Sequence, residues 1–191
     1  MAMNVLAVNG SPRKEGNTAH MLQTVLKVCE DAGCETELYQ AGGRVLRGCL
    51  VCGGCMKNPG KCATDDWINE LYPKMAAADA IILGSPTYHS DLSPEMKVVI
   101  DRCGYVARQA GNALSRKIGA AVGPVRRAGG IHTLDSMQHF FLISDMIVPG
   151  SSYWGMSLAR NIGEFEKDEE GIRTMVRLGE NIVYLLQKLA N

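Results

Sequence analysis

Four cysteines fall within fourteen residues in the stretch CLVCGGCMKNPGKC, residues 49–62. Cys49, Cys52 and Cys55 are each separated by two residues, and Cys62 follows after six more. A C-x-x-C turn places two sulfurs on one side, so three cysteines at this spacing can converge on one centre and a fourth can close the set. The C-x2-C-x2-C run is the seed of bacterial [4Fe–4S] ligation, where the fourth cysteine comes after three residues and precedes proline. Here it comes after six and precedes Ala63, so all four would serve one cluster locally. Gly53 and Gly54 would let backbone N–H groups approach the sulfides. Zinc also takes four thiolates, in tetrahedral geometry. Zinc knuckles more often come as two distant pairs, and the compact run leans toward iron–sulfur, with zinc or a vacant thiol site as the competing readings. Cys29 and Cys103 fall on apolar helix faces and read as inert core residues. Cys34 follows Gly33 and has no evident role.

A second stretch with chemistry in it is NGSPRKEGNT, residues 9–18, directly after the first apolar run. Gly10 and Gly16 permit tight turns. Ser11, Asn17 and Thr18 offer hydroxyl and amide donors, Arg13 a charged fork, and a helix start adds free N–H groups. Together they suit a phosphate at a helix N-terminus. The stretch matches neither GxGxxG nor GxxxxGK[ST], so neither a dinucleotide fingerprint nor a triphosphate loop is present. The plain alternative is a polar turn with an N-cap.

The elements that must position these residues alternate along the chain. Val5–Val8, Ala80–Leu83, Ile118–Val122 and Met146–Val148 read as apolar strands, and Glu35–Tyr39 as a more polar edge strand. Leu22, Val25, Leu26 and Cys29 form one helix face, which Gly33 stops. Asp65 or Asp66 caps a helix to about Ala78. Ser93-Pro94-Glu95 opens another, with Met96, Val99, Ile100 and Cys103 buried. A helix lies around Leu134–Phe141, and Met175 to Leu189 makes a long amphipathic one. Five strands alternating with five helices, the inner strands apolar on both faces, predict a doubly wound parallel α/β sheet. The flavodoxin-like order 2-1-3-4-5 is the natural choice for a single domain spanning 1–191, with the four-cysteine loop inserted at about 42–63. Ligands in such sheets bind beyond the carboxyl ends of the strands, beside the first.

The chain has 191 residues, 46% hydrophobic and 21% charged, with Lys+Arg and Asp+Glu equal at 20 each. That balance gives no bias toward nucleic acid or a membrane surface. No apolar run approaches the ~18 residues of a membrane span. A cytoplasmic protein is expected, and there an odd number of cysteines points to metal or redox chemistry before structural disulfides.

The pattern G-S-P-R-x-x-G-N-T after the first strand, GSPTYH at 84–89, MKVVIDR at 96–102 and GPVRRAGG at 123–130 resemble the NAD(P)H-dependent FMN reductase and iron–sulfur flavoprotein group over essentially the whole chain. The four cysteines followed by Asp65-Asp66 resemble the iron–sulfur flavoproteins in particular. The resemblance implies FMN, its phosphate on Ser11, Arg13, Gly16, Asn17 and Thr18. Pro86, Thr87, Tyr88 and His89 would contact the isoalloxazine ring, and Gly123 through Arg126 and Gly129 would close its other side. Cys49, Cys52, Cys55 and Cys62 would hold a [4Fe–4S] cluster. It also implies a homodimer or homotetramer, a ferredoxin-like donor and a quinone, oxygen or peroxide acceptor, with no side chain acting as acid or base. A cluster-free reductase using NAD(P)H, a flavodoxin-like electron carrier and a zinc-stapled binding module are the alternatives.

Plainer readings stand beside these. Pro86-Thr87 also reads as a strand-ending turn and His89 as an exposed loop histidine. His20, His132 and His139 read as surface or structural. Asp101-Arg102 reads as a local ion pair. Arg126 and Arg127 suit either a nicotinamide cofactor's phosphates or a solvated turn. EFEKDEE, residues 164–170, reads as a solvated entry to the last helix.

Overall fold

A computed structural model describes residues 3–190. In chain order the elements are β1 (Asn4–Asn9), α1 (Asn17–Asp31), β2 (Glu35–Gln40), α2 (Gly54–Lys57), α3 (Ile68–Ala77), β3 (Ala80–Gly84), α4 (Pro94–Gln109), β4 (Ile118–Val125), α5 (Gly130–Ile143), β5 (Met156–Leu158), a 3-10 turn (Phe165–Lys167) and α6 (Glu169–Leu189). The five strands pair in the order β2-β1-β3-β4-β5 and every pairing is parallel. This is the flavodoxin-like order the sequence predicts.

Period-two alternation explains how the inner strands serve two cores. Val5 and Ala7 of β1 face α1 and α6, where they meet Leu22, Val25, Met175 and Ile182. Leu6 and Val8 face the opposite layer with Ile68, Leu71, Met96, Val99 and Phe141 of α3, α4 and α5. Cys29 lies in the first core and Cys103 in the second, both fully buried, and burial pushes the Cys29 thiol up to about 12. No helix among the described residues is long and apolar enough to cross a membrane.

The fifth strand departs from expectation. Met146–Val148 is not the edge strand: it makes one bridge, Ile118 to Ile147, beside the foot of β4. The chain then leaves at Pro149-Gly150 and returns to pair Met156, Ser157 and Leu158 with Gly123, Pro124 and Val125. Proline has no N–H for the ladder, so the apolar run cannot continue as a strand. Gly155 is where it returns: a Cβ there would lie 2.4 Å from the Ala121 carbonyl oxygen.

Asp168 anchors this edge. Its carboxylate caps α6 by accepting from Gly171 N at 2.9 Å, and it also accepts from Ser157 Oγ at 2.6 Å and Leu158 N at 3.2 Å. The acidic stretch is therefore partly structural rather than wholly solvated. Burial alone would raise this carboxyl, but the Ser157, Gly171 and Leu158 donors outweigh it and the net direction is down. A depressed carboxyl stabilises the fold above its unfolded value and loses that contribution as pH falls through the folded one. Acidification below about pH 4 should therefore lower the urea midpoint, and Asp168→Asn should flatten that fall. Equal acid slopes in the two proteins would refute the role.

Candidate functional site

The loop after β1 is shaped by Asn9, which is fully buried. Its Oδ1 accepts from Ser11 N at 3.0 Å, and its Nδ2 donates to Gln40 Oε1 at 2.8 Å. Gln40 Nε2 donates in turn to the carbonyls of Ser11 and Gly42, both at 2.8 Å. Arg13 N donates to Ser11 Oγ at 3.2 Å, and Gly16 N to Arg13 O at 3.2 Å. These bonds turn the chain so that α1 begins at Asn17 with no side-chain cap and no acid in its first turn. Its free N–H groups and positive dipole end are left for an anion. Asn17 is buried and its side chain is committed elsewhere. Nδ2 donates to Asn161 O at 2.8 Å, and Oδ1 accepts from Phe165 N at 3.3 Å.

A cavity of about 190 Å³ opens over this loop, at the carboxyl ends of β1, β3 and β4. Ser11, Arg13, Gly16, Asn17 and Thr18 line it, together with Pro86, Thr87, Tyr88 and Arg126. Pro124, within the predicted 123–126 segment, and Ala159 and Arg160 complete it, and the last two the sequence reading missed. Three guanidinium-bearing residues beside an uncapped helix start suit a phosphate, and Pro86, Tyr88, Pro124 and Ala159 give an apolar wall for a ring. The residues present fit FMN in this sense.

His89, Gly123 and Gly129 stand outside that lining. His89 and Ser90, at φ 48° and 66°, form the tip of a tight turn in which Tyr88 and Asp91 exchange backbone bonds at 2.7 and 3.0 Å. Both central residues in the left-handed region is the type I′ signature. Gly123 and Gly129 allow close approach to this loop. A Cβ on Gly123 would lie 2.6 Å from Ser85 O, and one on Gly129 2.7 Å from Ser90 Cα.

Ser93 joins the loops. It is fully buried, its Oγ donates to Gly10 O at 2.8 Å and accepts from Met96 N at 3.2 Å, and its N–H donates to Ser85 Oγ at 2.8 Å. It thus caps α4, as the sequence predicts, and ties the loops after β1 and β3. Ser93→Ala should lower unfolding free energy by about 2 kcal/mol, a lost cap plus a stranded buried carbonyl, read by urea titration. A change within ±0.5 kcal/mol, the usual range for surface sites, would contradict this.

The four-cysteine segment leaves from beside the same loop. A Cβ on Gly42 would lie 2.0 Å from Ser11 O, so the two backbones touch there. The stem is held by Trp67 Nε1 donating to Val45 O at 3.0 Å and by Arg44, which pairs with Glu70 at 3.3 Å and lies over the Tyr39 and Trp67 rings. Cys49 and Cys52 are exposed, and Cys55 and Cys62 are half-buried against the core under α4. Among the described residues no three His, Cys, Asp or Glu stand together as a metal-holding group. Cys55 is nevertheless within electrostatic reach of the other three thiols. The Cys55 thiol is raised first by burial, against its own backbone hydrogen bond, and further by Cys49, Cys62 and Cys52. An all-sulfur donor set on one loop fits iron–sulfur or zinc, and not a hard cation. Val51, between the first two cysteines, has φ 51°, an outlier for a β-branched residue.

Asp101 and Arg102 do not pair with each other. Asp101 pairs with Lys97 one turn back. Arg102 turns inward and grips Asp66 with both nitrogens, Nη1 to Oδ2 at 2.6 Å and Nη2 to Oδ1 at 2.8 Å. Burial pushes this guanidinium down, but the Asp66 and Cys62 acceptors outweigh it and hold it above its ordinary value. His20 Nδ1 lies against the Glu166 carboxylate, outside the cavity lining.

Fold and site together define a flavodoxin-like α/β protein with a phosphate-suited cavity at the switch point of its sheet. The profile of the NADPH-dependent FMN reductases matches residues 3–161, and the chain belongs to that family of flavin-dependent oxidoreductases. It is similar to an iron–sulfur flavoprotein of Methanocaldococcus jannaschii, 34% identical over 97% of this chain and 98% of the relative. It is also similar to an iron–sulfur flavoprotein of Methanosarcina thermophila, 30% identical over 97% of this chain and 96% of that one. Among solved structures, a WrbA-like flavodoxin protein of Agrobacterium tumefaciens superposes with a TM-score of 0.66 at 17% identity, covering 98% of this chain and 99% of the other.

Proposed function

We propose that this chain is an FMN-dependent oxidoreductase that also carries a [4Fe–4S] cluster on Cys49, Cys52, Cys55 and Cys62. It would move electrons between a ferredoxin-like donor and a small acceptor such as a quinone, oxygen or peroxide. The observation that carries the flavin half is the cavity in which the uncapped start of α1, Arg13, Arg126 and Arg160 converge. The cluster half is supported by the all-thiol loop and by the names of the relatives. FMN supplies one- and two-electron exchange and the cluster one-electron exchange, so the pair links the two kinds of carrier.

The protein's own part is placement. Ser11, Arg13, Gly16 and the α1 amides would bind the phosphate, with Asn17 fixing the 161–165 segment behind it. Pro86, Thr87 and Tyr88 would bound the ring. Gly42 against Ser11 sets how near the cysteine loop lies to the phosphate loop. We also propose a cytoplasmic homodimer or homotetramer. All seven cysteines are free, and Tyr105, Leu142 and Ile143 leave apolar surface on α4 and α5 that supports assembly.

A second reading is favoured by the family profile itself: a cluster-free reductase taking hydride from NAD(P)H, with Arg126 and Arg127 at the phosphates of the donor. One sample separates the two. Anaerobically purified protein should show flavin bands over broad absorbance near ~400 nm, with about four irons and four sulfides per chain. Flavin without iron, and rapid reduction by NADPH, would leave the second reading. Absence of flavin would overturn both.

A further inference from the structure

We propose that Arg102 is the positioning residue of the four-cysteine centre: from inside the fold it aims the Cys62 sulfur and raises the reduction potential of the cluster bound there. This rests on the cluster reading above and adds to it a residue outside the cysteine motif. Arg102 lies on α4 and is only 2% exposed. Its Nη2 donates to Cys62 Sγ at 3.1 Å and to Thr64 O at 3.4 Å, and its Nη1 donates to Arg47 O at 3.2 Å. With the two bonds to Asp66, one guanidinium holds chain on both sides of the motif, before Cys49 and after Cys62.

Two features separate this from a structural ion pair. A buried pair is weak grounds for stability, since apolar replacements often do as well. Stability alone therefore gives no reason for the fork to reach past Asp66 to a sulfur. Second, the Cys62 backbone is already fixed without Arg102. Cys62 N donates to Asn69 Oδ1 at 2.9 Å, and Asn69 Nδ2 donates to Cys62 O at 3.1 Å. What Arg102 adds is the direction of the side chain and a donor on its sulfur. Lysine, a point charge without the fork, cannot hold Asp66 bidentately and keep a second N–H on Cys62.

The effect on potential follows from charge. Reduction makes the centre more negative, and an N–H donor on a ligand sulfur in a water-poor site favours that state. Cys49 and Cys52 are exposed, and of the two half-buried cysteines Cys62 is the one that accepts from the Arg102 guanidinium.

The test uses the anaerobically loaded full chain. Wild type, Arg102→Lys and Arg102→Gln are compared for flavin, iron and sulfide content and for the midpoint potential of the cluster by EPR-monitored titration. Arg102→Gln should keep flavin and show a lower potential, by about tenfold in the reduction equilibrium constant, or about 59 mV for one electron. Arg102→Lys should fall in the same direction. Full iron with wild-type potential in Arg102→Gln overturns the proposal and leaves the cluster reading intact. Wild type without iron overturns the cluster reading, and this proposal with it. If Arg102→Gln loses flavin as well, Arg102→Gln combined with Asp66→Asn strands no charge and decides: a lowered potential supports the role, and a wild-type one refutes it.

Discussion

Cys55→Ser is expected to leave anaerobically purified protein with its flavin and at least tenfold less iron and sulfide, because a soft thiolate ligand is replaced by a hard hydroxyl. Cys55 is the right position to ask. It sits in the first turn of α2, half-buried against the core, and is the thiol whose ionisation the other three cysteines all oppose. Its place over that core lets the substitution change the ligand without opening the flavin cavity, which Cys55 does not line. Cys29→Ala is the control. That thiol is fully buried on the opposite face of the sheet, among α1 and α6 residues. Its loss should lower stability by about 1–2 kcal/mol through a small cavity and leave iron untouched. Iron retained in Cys55→Ser, or lost in Cys29→Ala, would show that the cluster is not held by this loop. Zinc in place of iron in wild type would point to a structural staple.

The sheet order was legible because β1 and β3 are apolar on both faces while β2 alternates, which separates interior strands from an edge. The edge at β5 was not legible for a definite reason. The Met146–Val148 run is apolar and ends in β-branched residues, whereas Met156–Leu158 carries Ser157 at its centre. Local pattern favours the wrong segment. The right one is chosen by Pro149, which ends the first approach to β4, and by Gly155, which alone lets the chain pass the Ala121 carbonyl. Those are contacts between segments about thirty residues apart.

The same distinction runs through the site. The loop after β1 is one continuous stretch, and its turn and donor residues could be read locally. Ala159 and Arg160 directly follow β5, the strand whose place the apolar Met146–Val148 run takes in the sequence pattern, and carry no local signal of their own. Asn9 carried a signal that was available: an amide directly before Gly-Ser at a strand end favours an Asx turn. The reading of Asp101 with Arg102 failed on helix geometry, since neighbours at i,i+1 do not face each other and those at i,i+4 do. Lys97 was therefore the partner to expect for Asp101. The true partners of Arg102, Asp66 and Cys62, lie 36 and 40 residues back, where only the tertiary fold brings them. Asn17 shows the converse: the residue lines the cavity as the sequence predicts, but both ends of its amide hold the 161–165 segment.

Arg13→Ala and Arg160→Ala test the flavin half, because in each the charge can be removed without removing the loop. The Arg13 backbone N–H is held by Ser11 Oγ at 3.2 Å, and the Arg160 backbone N–H by Glu164 Oε2 at 2.6 Å. Neither bond involves the guanidinium. Each substitution should weaken FMN binding by about tenfold, the loss of one charge-assisted contact, and the pair by about a hundredfold. Riboflavin lacks the phosphate, so its affinity should stay within about twofold of wild type and the preference for FMN should collapse. The salt dependence of FMN binding should weaken in parallel, since fewer charges remain to be screened. Titration of the apoprotein with both flavins reads all of this at once. Equal losses for FMN and riboflavin would mean that the arginines support the loop and not the phosphate. Unchanged FMN affinity in the double variant would place the phosphate elsewhere and remove the ground for reading Ser11–Thr18 as its cradle.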